Sequence, residues 1–98
     1  MVRVVLPYHL RKLAQVGQEV RVEASAPICV TSVLDALEAA YPVLKGTIRE
    51  HGSQKRRAFL RFFAAGEDIS FDPVDKELPA SIAEGREPLM VIGAIAGG

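Results

Sequence analysis

Hydrophobic and polar positions alternate from the first residues of the chain. Val2, Val4 and Leu6 fall on one face and Arg3 and Val5 on the other, which predicts a strand whose second face is also partly covered. Tyr8-His9-Leu10-Arg11-Lys12-Leu13 places Leu10 and Leu13 at helical spacing, but it is too short for an independent helix and predicts a turn-like connection. Gly17-Gln18 then punctuates the chain. Glu19-Val20-Arg21-Val22-Glu23 alternates strictly and predicts a half-buried strand, antiparallel to the first. Beyond Ala26-Pro27, Ser32 with Asp35 three positions later predicts a hydroxyl-capped helix start. Val33, Leu34, Leu37, Ala40, Tyr41, Leu44 and Ile48 follow at spacings of three and four, forming one apolar face with Asp35, Glu38 and Lys45 off it. Pro42 must end or kink that helix near Tyr41, and a short turn through Val43-Leu44-Lys45 stops at Gly46 or Gly52.

The second half reads as strands. Ser53-Gln54-Lys55-Arg56-Arg57 is polar, and the aromatic content of Ala58-Phe59-Leu60-Arg61-Phe62-Phe63-Ala64 favours a strand. Ala65-Gly66 is a hairpin turn, with Glu67 to Phe71 as the returning strand. Residues 72–79 are loop by composition, Ser81-Ile82-Ala83-Glu84-Gly85 ends in a glycine turn, and Leu89-Met90-Val91-Ile92 is the last strand. This order describes an α+β domain: one sheet with a helix lying on it.

Composition narrows the class. Ninety-eight residues with 49% hydrophobic and 24% charged positions make one globular domain with a single core, and exclude disordered and fibrous classes. No apolar run approaches the ~20 residues that span a bilayer, and the start is too short for a signal-peptide core, so no membrane association and a cytoplasmic location are expected. Cys29 is alone, and His9 and His51 have no ligand spacing with it or each other, so no metal site is expected. Cys29 reads as a small buried hydrophobe, and His9 and His51 as surface residues. The net charge of zero speaks against a nucleic-acid partner. Ten basic and five acidic residues lie in 1–61, against two and seven in 62–98, giving either two mutually attracting faces or an acidic docking surface. Lys55, Arg56, Arg57 and Arg61 form a solvated edge or a receiver for an anion such as phosphate. Phe59, Phe62 and Phe63 are expected mostly in the core, with one of the pairs Phe59/Phe63 or Leu60/Phe62 in an apolar docking patch, because nothing else covers the far sheet face of so small a domain. Pro7, Glu67, Asp68 and Ile92 are further docking candidates.

The chemistry is concentrated at the end of the chain. Gly93-Ala94-Ile95-Ala96-Gly97-Gly98 carries no charge and no bulky polar group. Extended, these six residues reach roughly 20 Å, so a carboxylate on Gly98 can be delivered through a narrow channel of a partner. Residues 1–92 are therefore read as the domain and 93–98 as a flexible Gly-Gly tail.

The element order together with this tail resembles the MoaD/ThiS family of ubiquitin-like sulfur carriers, over nearly the whole chain. Val2 to Leu13 resembles the family's opening, Val33-Leu34-Asp35-Ala36-Leu37-Glu38 with Tyr41-Pro42 its helix, Gly66-Glu67-Asp68-Ile69 its hairpin, and Ala83-Glu84-Gly85 the turn before its last strand. Gly97-Gly98 is the most diagnostic piece. Ala64-Ala65 stands where members often carry an asparagine, and Gly93-Ala94 where prolines often precede the tail; chain length and the Ala96-Gly97-Gly98 end resemble the CysO-like branch as much as the MoaD-like one. The resemblance implies a β-grasp fold, a mixed sheet of four to five strands on one main helix, with the first and last strands parallel at the centre. It also implies a carrier rather than an enzyme. A ubiquitin-activating-type adenylyltransferase would adenylate Gly98 with ATP, a sulfur donor would displace AMP to leave a thiocarboxylate, and a downstream synthase would receive the sulfur for cofactor or cysteine biosynthesis. Gly93, Ala94, Ile95, Ala96 and Gly97, with Ile92, would be the handle held by the partner, and no bound cofactor is implied. The small subunit of a molybdopterin synthase, a modifier joined to lysines through Gly98, and a plain interaction domain are the alternatives.

Overall fold

A computed structural model describes residues 1–93 of the chain. Strand β1 (Val2–Val5) lies antiparallel to β2 (Glu19–Val22), with Val2 opposite Val22 and Val5 opposite Glu19. On its other side β1 runs parallel to β5 (Leu89–Gly93), which pairs antiparallel with β3 (Leu60–Ala64), itself followed by the short antiparallel β4 (Glu67–Asp68). The five-stranded mixed sheet has the order β2-β1-β5-β3-β4. This is the α+β, β-grasp architecture, with the first and last strands parallel in the middle of the sheet.

The period-two pattern decides which face is buried. Val2, Val4, Val20, Val22, Leu60, Phe62, Ala64, Leu89 and Val91 turn to one side, and helix α2 (Val30–Ala40) lays Val33, Leu34 and Leu37 into the same core. Each large aliphatic side chain closed off there contributes about 1.5–3 kcal/mol. Pro42 ends α2 at Tyr41, and a 3₁₀ turn over Pro42–Leu44 brings Leu44, and beyond it Ile48, under the helix. Gly85 holds a left-handed φ of +78°, and a Cβ there would lie 2.5 Å from the Met1 carbonyl oxygen, so both conformation and space require glycine.

Several local expectations change. Residues 8–13 are not a mere connection: helix α1 (Tyr8–Ala14) starts behind Pro7, whose carbonyl accepts the Leu10 and Arg11 N–H groups. Burial of Leu10 in the core offsets the nucleation cost that a seven-residue helix cannot meet alone. Helix α2 begins two residues before Ser32, with Cys29 as its N-cap; Ser32 reaches back, its Oγ accepting the Cys29 N–H at 3.0 Å. Ala40 is exposed, whereas Glu38 is buried against Arg49. The returning hairpin strand ends at Asp68, because the Ser70 hydroxyl takes the Phe62 N–H at 2.8 Å in place of a ladder carbonyl. A helical turn, α3 (Ala80–Ala83), precedes Gly85 and buries Ile82. Of the three phenylalanines expected mostly in the core, only Phe62 is deeply buried; Phe63 points to the opposite sheet face and Phe59 is 65% exposed.

Candidate functional site

The face of the sheet away from α2 carries an apolar row fixed by strand register. Val5 stands opposite Met90, and Met90 opposite Phe63, so the row crosses β1, β5 and β3 side by side; Ile92 continues it along β5, opposite Arg61. Met90 and Ile92 are each 37% exposed, and no other element among the described residues covers them. Central strands of a buried sheet are apolar on both faces, and β5 has that pattern without a second layer to cover it. The row is apolar and partly open to solvent at Met90 and Ile92.

Charges rim the row on both sides. On the β2 side Arg3 grips Glu19 with two bonds, Nε to Oε1 at 2.8 Å and Nη2 to Oε2 at 3.0 Å, and Arg3 Nη1 also donates to the Gly85 and Arg86 carbonyls. These bonds from Arg3 hold the Glu19 carboxyl below the usual carboxylate range. On the β4 side Asp68 is held low mainly by the Ser70 hydroxyl and the Ser70 N–H, with Arg61 contributing its charge. Both carboxylates are therefore ionised at neutral pH, the Arg3–Glu19 pair closely held and the Arg61–Asp68 pair long and exposed.

Strand β5 delivers the chain to the edge of this face. It is held by β1 on one side and β3 on the other, and its last residue, Gly93, pairs with Leu60. Gly93 also borders a cleft of about 510 Å³ whose walls include His9, Thr47, Arg57 and the exposed Phe59. Of the residues expected to act, Ile92 and Gly93 lie at this exit, Gly93 inside the strand rather than beyond it. Ala94, Ile95, Ala96, Gly97 and Gly98 lie outside the described residues. Pro7 caps α1, and Glu67 and Asp68 form the exposed edge strand β4. Cys29 is buried beside Ser32, and His9 and His51 are exposed.

A second cleft, of about 640 Å³, lies between α2 and the 49–56 hairpin. Its floor is the Arg49 guanidinium, which donates to both oxygens of Glu38 and to Asp35. Burial pulls the basicity of Arg49 down, but these bonds outweigh it and leave the group above its ordinary value. One guanidinium held by two carboxylates on α2 ties the hairpin to the helix.

Sequence reasoning found Ile92, and Phe63 as one member of two alternative pairs for the uncovered sheet face, but not Val5 and Met90 as their companions. The signal was present in the doubly apolar Leu89-Met90-Val91-Ile92 and in Val5; only strand order shows that they adjoin. Phe71, assigned to the returning strand, instead stands out from the surface beside Arg56 and Arg61.

No family model and no curated protein sequence matches the chain. Solved structures do match its fold. SAMP1 from Haloferax volcanii superposes with a TM-score of 0.73 at 22% identity, covering 98% of this chain and 97% of that one. A chain of the Amycolatopsis orientalis BexX/CysO complex superposes with a TM-score of 0.75 at 21% identity over 100% of both. A crystal structure of H. volcanii small archaeal modifier protein 1 gives 0.72 at 20% identity over 95% of both. The described residues therefore share the β-grasp, ubiquitin-like fold of these proteins.

Proposed function

We infer that this chain is a ubiquitin-like sulfur carrier. The observation that carries the reading is the exit of the central strand β5 at Gly93, beside an uncovered apolar row, leading directly into Ala94-Ile95-Ala96-Gly97-Gly98. A partner docked on that row is positioned to receive the tail. The match to a chain of a CysO complex supports a carrier that works against a partner.

The reacting group of this reading is the Gly98 carboxylate. A carboxylate is a poor electrophile, so an adenylyltransferase of the ubiquitin-activating type joins it to the α-phosphate of ATP and releases pyrophosphate. Sulfide, or the terminal sulfur of a persulfide with two electrons from a thiol, then attacks the acyl carbon and expels AMP, leaving Gly98 as a thiocarboxylate. The carrier contributes no acid, base or metal to these steps; it contributes a slender handle with no Cβ at its last two positions. The thiocarboxylate sulfur passes to an acceptor held by a downstream synthase in cofactor or cysteine biosynthesis.

The test is the intact mass of the protein after incubation with ATP, sulfide and an activating enzyme from its own source. An increase equal to replacing one oxygen by sulfur, absent when Gly98 is deleted, is the expected result. An unchanged mass, under conditions where a known carrier reacts, refutes the reading. A second reading, a modifier joined to lysines through Gly98, is favoured by the match to small archaeal modifier protein 1. It predicts branched peptides bearing this tail in a cell digest.

A further inference from the structure

The two edges of the sheet are finished differently. Strand β4 has only two residues, and its Asp68 side chain is tied to the Ser70 N–H. Strand β2, at the other edge, has four residues, no proline, and an unbroken register with β1, so it keeps a usable row of backbone groups. The direction of those groups follows from one bond. The Leu6 N–H donates to the Gln18 carbonyl, which makes Leu6 and Gln18 a hydrogen-bonded pair, and the alternation then places Val4–Val20 and Val2–Val22 in the same class. The N–H and C=O groups of Glu19, Arg21 and Glu23 therefore point outward, and none has a hydrogen-bond partner among the described residues. Glu19 is already gripped by Arg3 through its side chain. Arg21 and Glu23 are exposed and make no ion pair among the described residues; Arg21 faces Arg3 in the register, a like charge.

We propose that β2 is a pairing edge for a second copy of this chain, the two β2 strands meeting antiparallel about a two-fold axis at Val22. Charge complementarity selects both the occupant and the register. Residues opposite each other in an antiparallel pair share a sheet face, so the axis of a self-pairing falls on a residue. An axis on Glu19, Arg21 or Glu23 sets that charge against itself, which destabilises the pair. An axis on Val20 sets Arg21 against Glu19, whose carboxylate Arg3 already holds at 2.8 Å and 3.0 Å. An axis on Val22 sets Arg21 against Glu23 of the second copy, and by symmetry does so twice, so both free charges of the edge find an opposite one. Each Arg21–Glu23 pair also exchanges both of its N–H···O bonds, because these are the residues whose backbone groups point outward. On the helix side Val22 meets Val22 and Val20 meets Ala24, all apolar. The strand that complements β2 is thus β2 itself. The edge lies two strands away from β5, so the pairing leaves the exit at Gly93 free in both copies, and it holds whether or not the chain carries sulfur.

The experiment is sedimentation equilibrium of the full chain up to about 1 mM, the range in which an interface this small associates. The wild type, Arg21→Glu, Glu23→Arg and the double swap Arg21→Glu with Glu23→Arg are compared at low salt. A wild-type dimer is expected. Each single variant places two like-charge pairs across the axis and should raise the dimer Kd about tenfold or more. The double swap restores opposite charges in the same register and should return Kd to near the wild-type value. Both side chains are exposed, so the melting temperatures of dilute samples should stay within a few degrees of each other. Amide hydrogen exchange of the wild type supplies a reading free of any substitution: the Arg21 and Glu23 N–H groups should slow as concentration rises. A wild type that stays monomeric at about 1 mM overturns the proposal. So does a dimer indifferent to the single variants, a folded double swap that does not recover, or concentration-dependent protection that misses Arg21 and Glu23.

Discussion

Replacing Glu38 by alanine should cost far more than its place on a helix suggests. Glu38 and Arg49 are 8% and 6% exposed, and Arg49 meets both Glu38 oxygens, at 2.9 Å and 3.2 Å. Asp35, the other acid on Arg49, has a side chain 64% open to solvent. Glu38→Ala strands a buried guanidinium with one exposed partner, and breaking a buried pair from one side costs about 3–5 kcal/mol. Asp35→Ala removes an exposed partner and costs about 0–1 kcal/mol. Total stability for a domain of this size is about 5–15 kcal/mol, so Glu38→Ala should lower the melting temperature by on the order of 20 °C, at about 4–8 °C per kcal/mol. The double variant Glu38→Leu with Arg49→Met removes both charges and should recover most of the loss. Urea denaturation at neutral pH with a shared slope measures all three. If Glu38→Ala costs no more than Asp35→Ala, or if the double variant is no better than the single one, the buried pair does not hold the 49–56 hairpin to α2 as described.

Three further outcomes follow from backbone and charge. Ala65 sits at φ 51° before Gly66 at φ +80° in the hairpin turn, a left-handed pair that favours Asn-Gly; Ala65→Asn should stabilise by about 0.5–1 kcal/mol, read as a higher melting temperature. Gly85→Ala should destabilise by more than the about 1 kcal/mol of left-handed strain, because its Cβ must also displace the Met1 carbonyl; a neutral result in thermal melts contradicts the packing of that turn on β1. Asp68 and Glu19 have folded pKa values below their unfolded ones, so their contribution is complete above the ordinary carboxylate range and is lost as pH falls through the depressed folded values. Side-chain carboxyl titration by magnetic resonance should place Asp68 below the usual value, and Ser70→Ala should move it back up; an unmoved value shows that the Ser70 hydroxyl is not its main support.

Much of this molecule is written locally. Alternation at 2–6 and 19–23, the three-and-four spacing from Val33 to Leu37 and the stop at Pro42 are short-range patterns, and each became the element it implied. The Gly97-Gly98 end and the element order pointed to a β-grasp fold before any contact was known. What failed locally depended on partners far along the chain. Helix α1 forms because Leu10 reaches the core, Glu38 turns inward because Arg49 arrives eleven residues later, and Phe59 and Phe71 stay outside because strand pairing gives the interior to Leu60 and Phe62. The apolar row on the open sheet face has the same origin. Val5, Met90 and Phe63 are separated by most of the sequence, and only the placement of β5 between β1 and β3 sets them in one row beside the exit at Gly93. Periodicity fixes which way a side chain points, but the free energy that chooses its neighbours is released only when distant strands pair and water leaves between them.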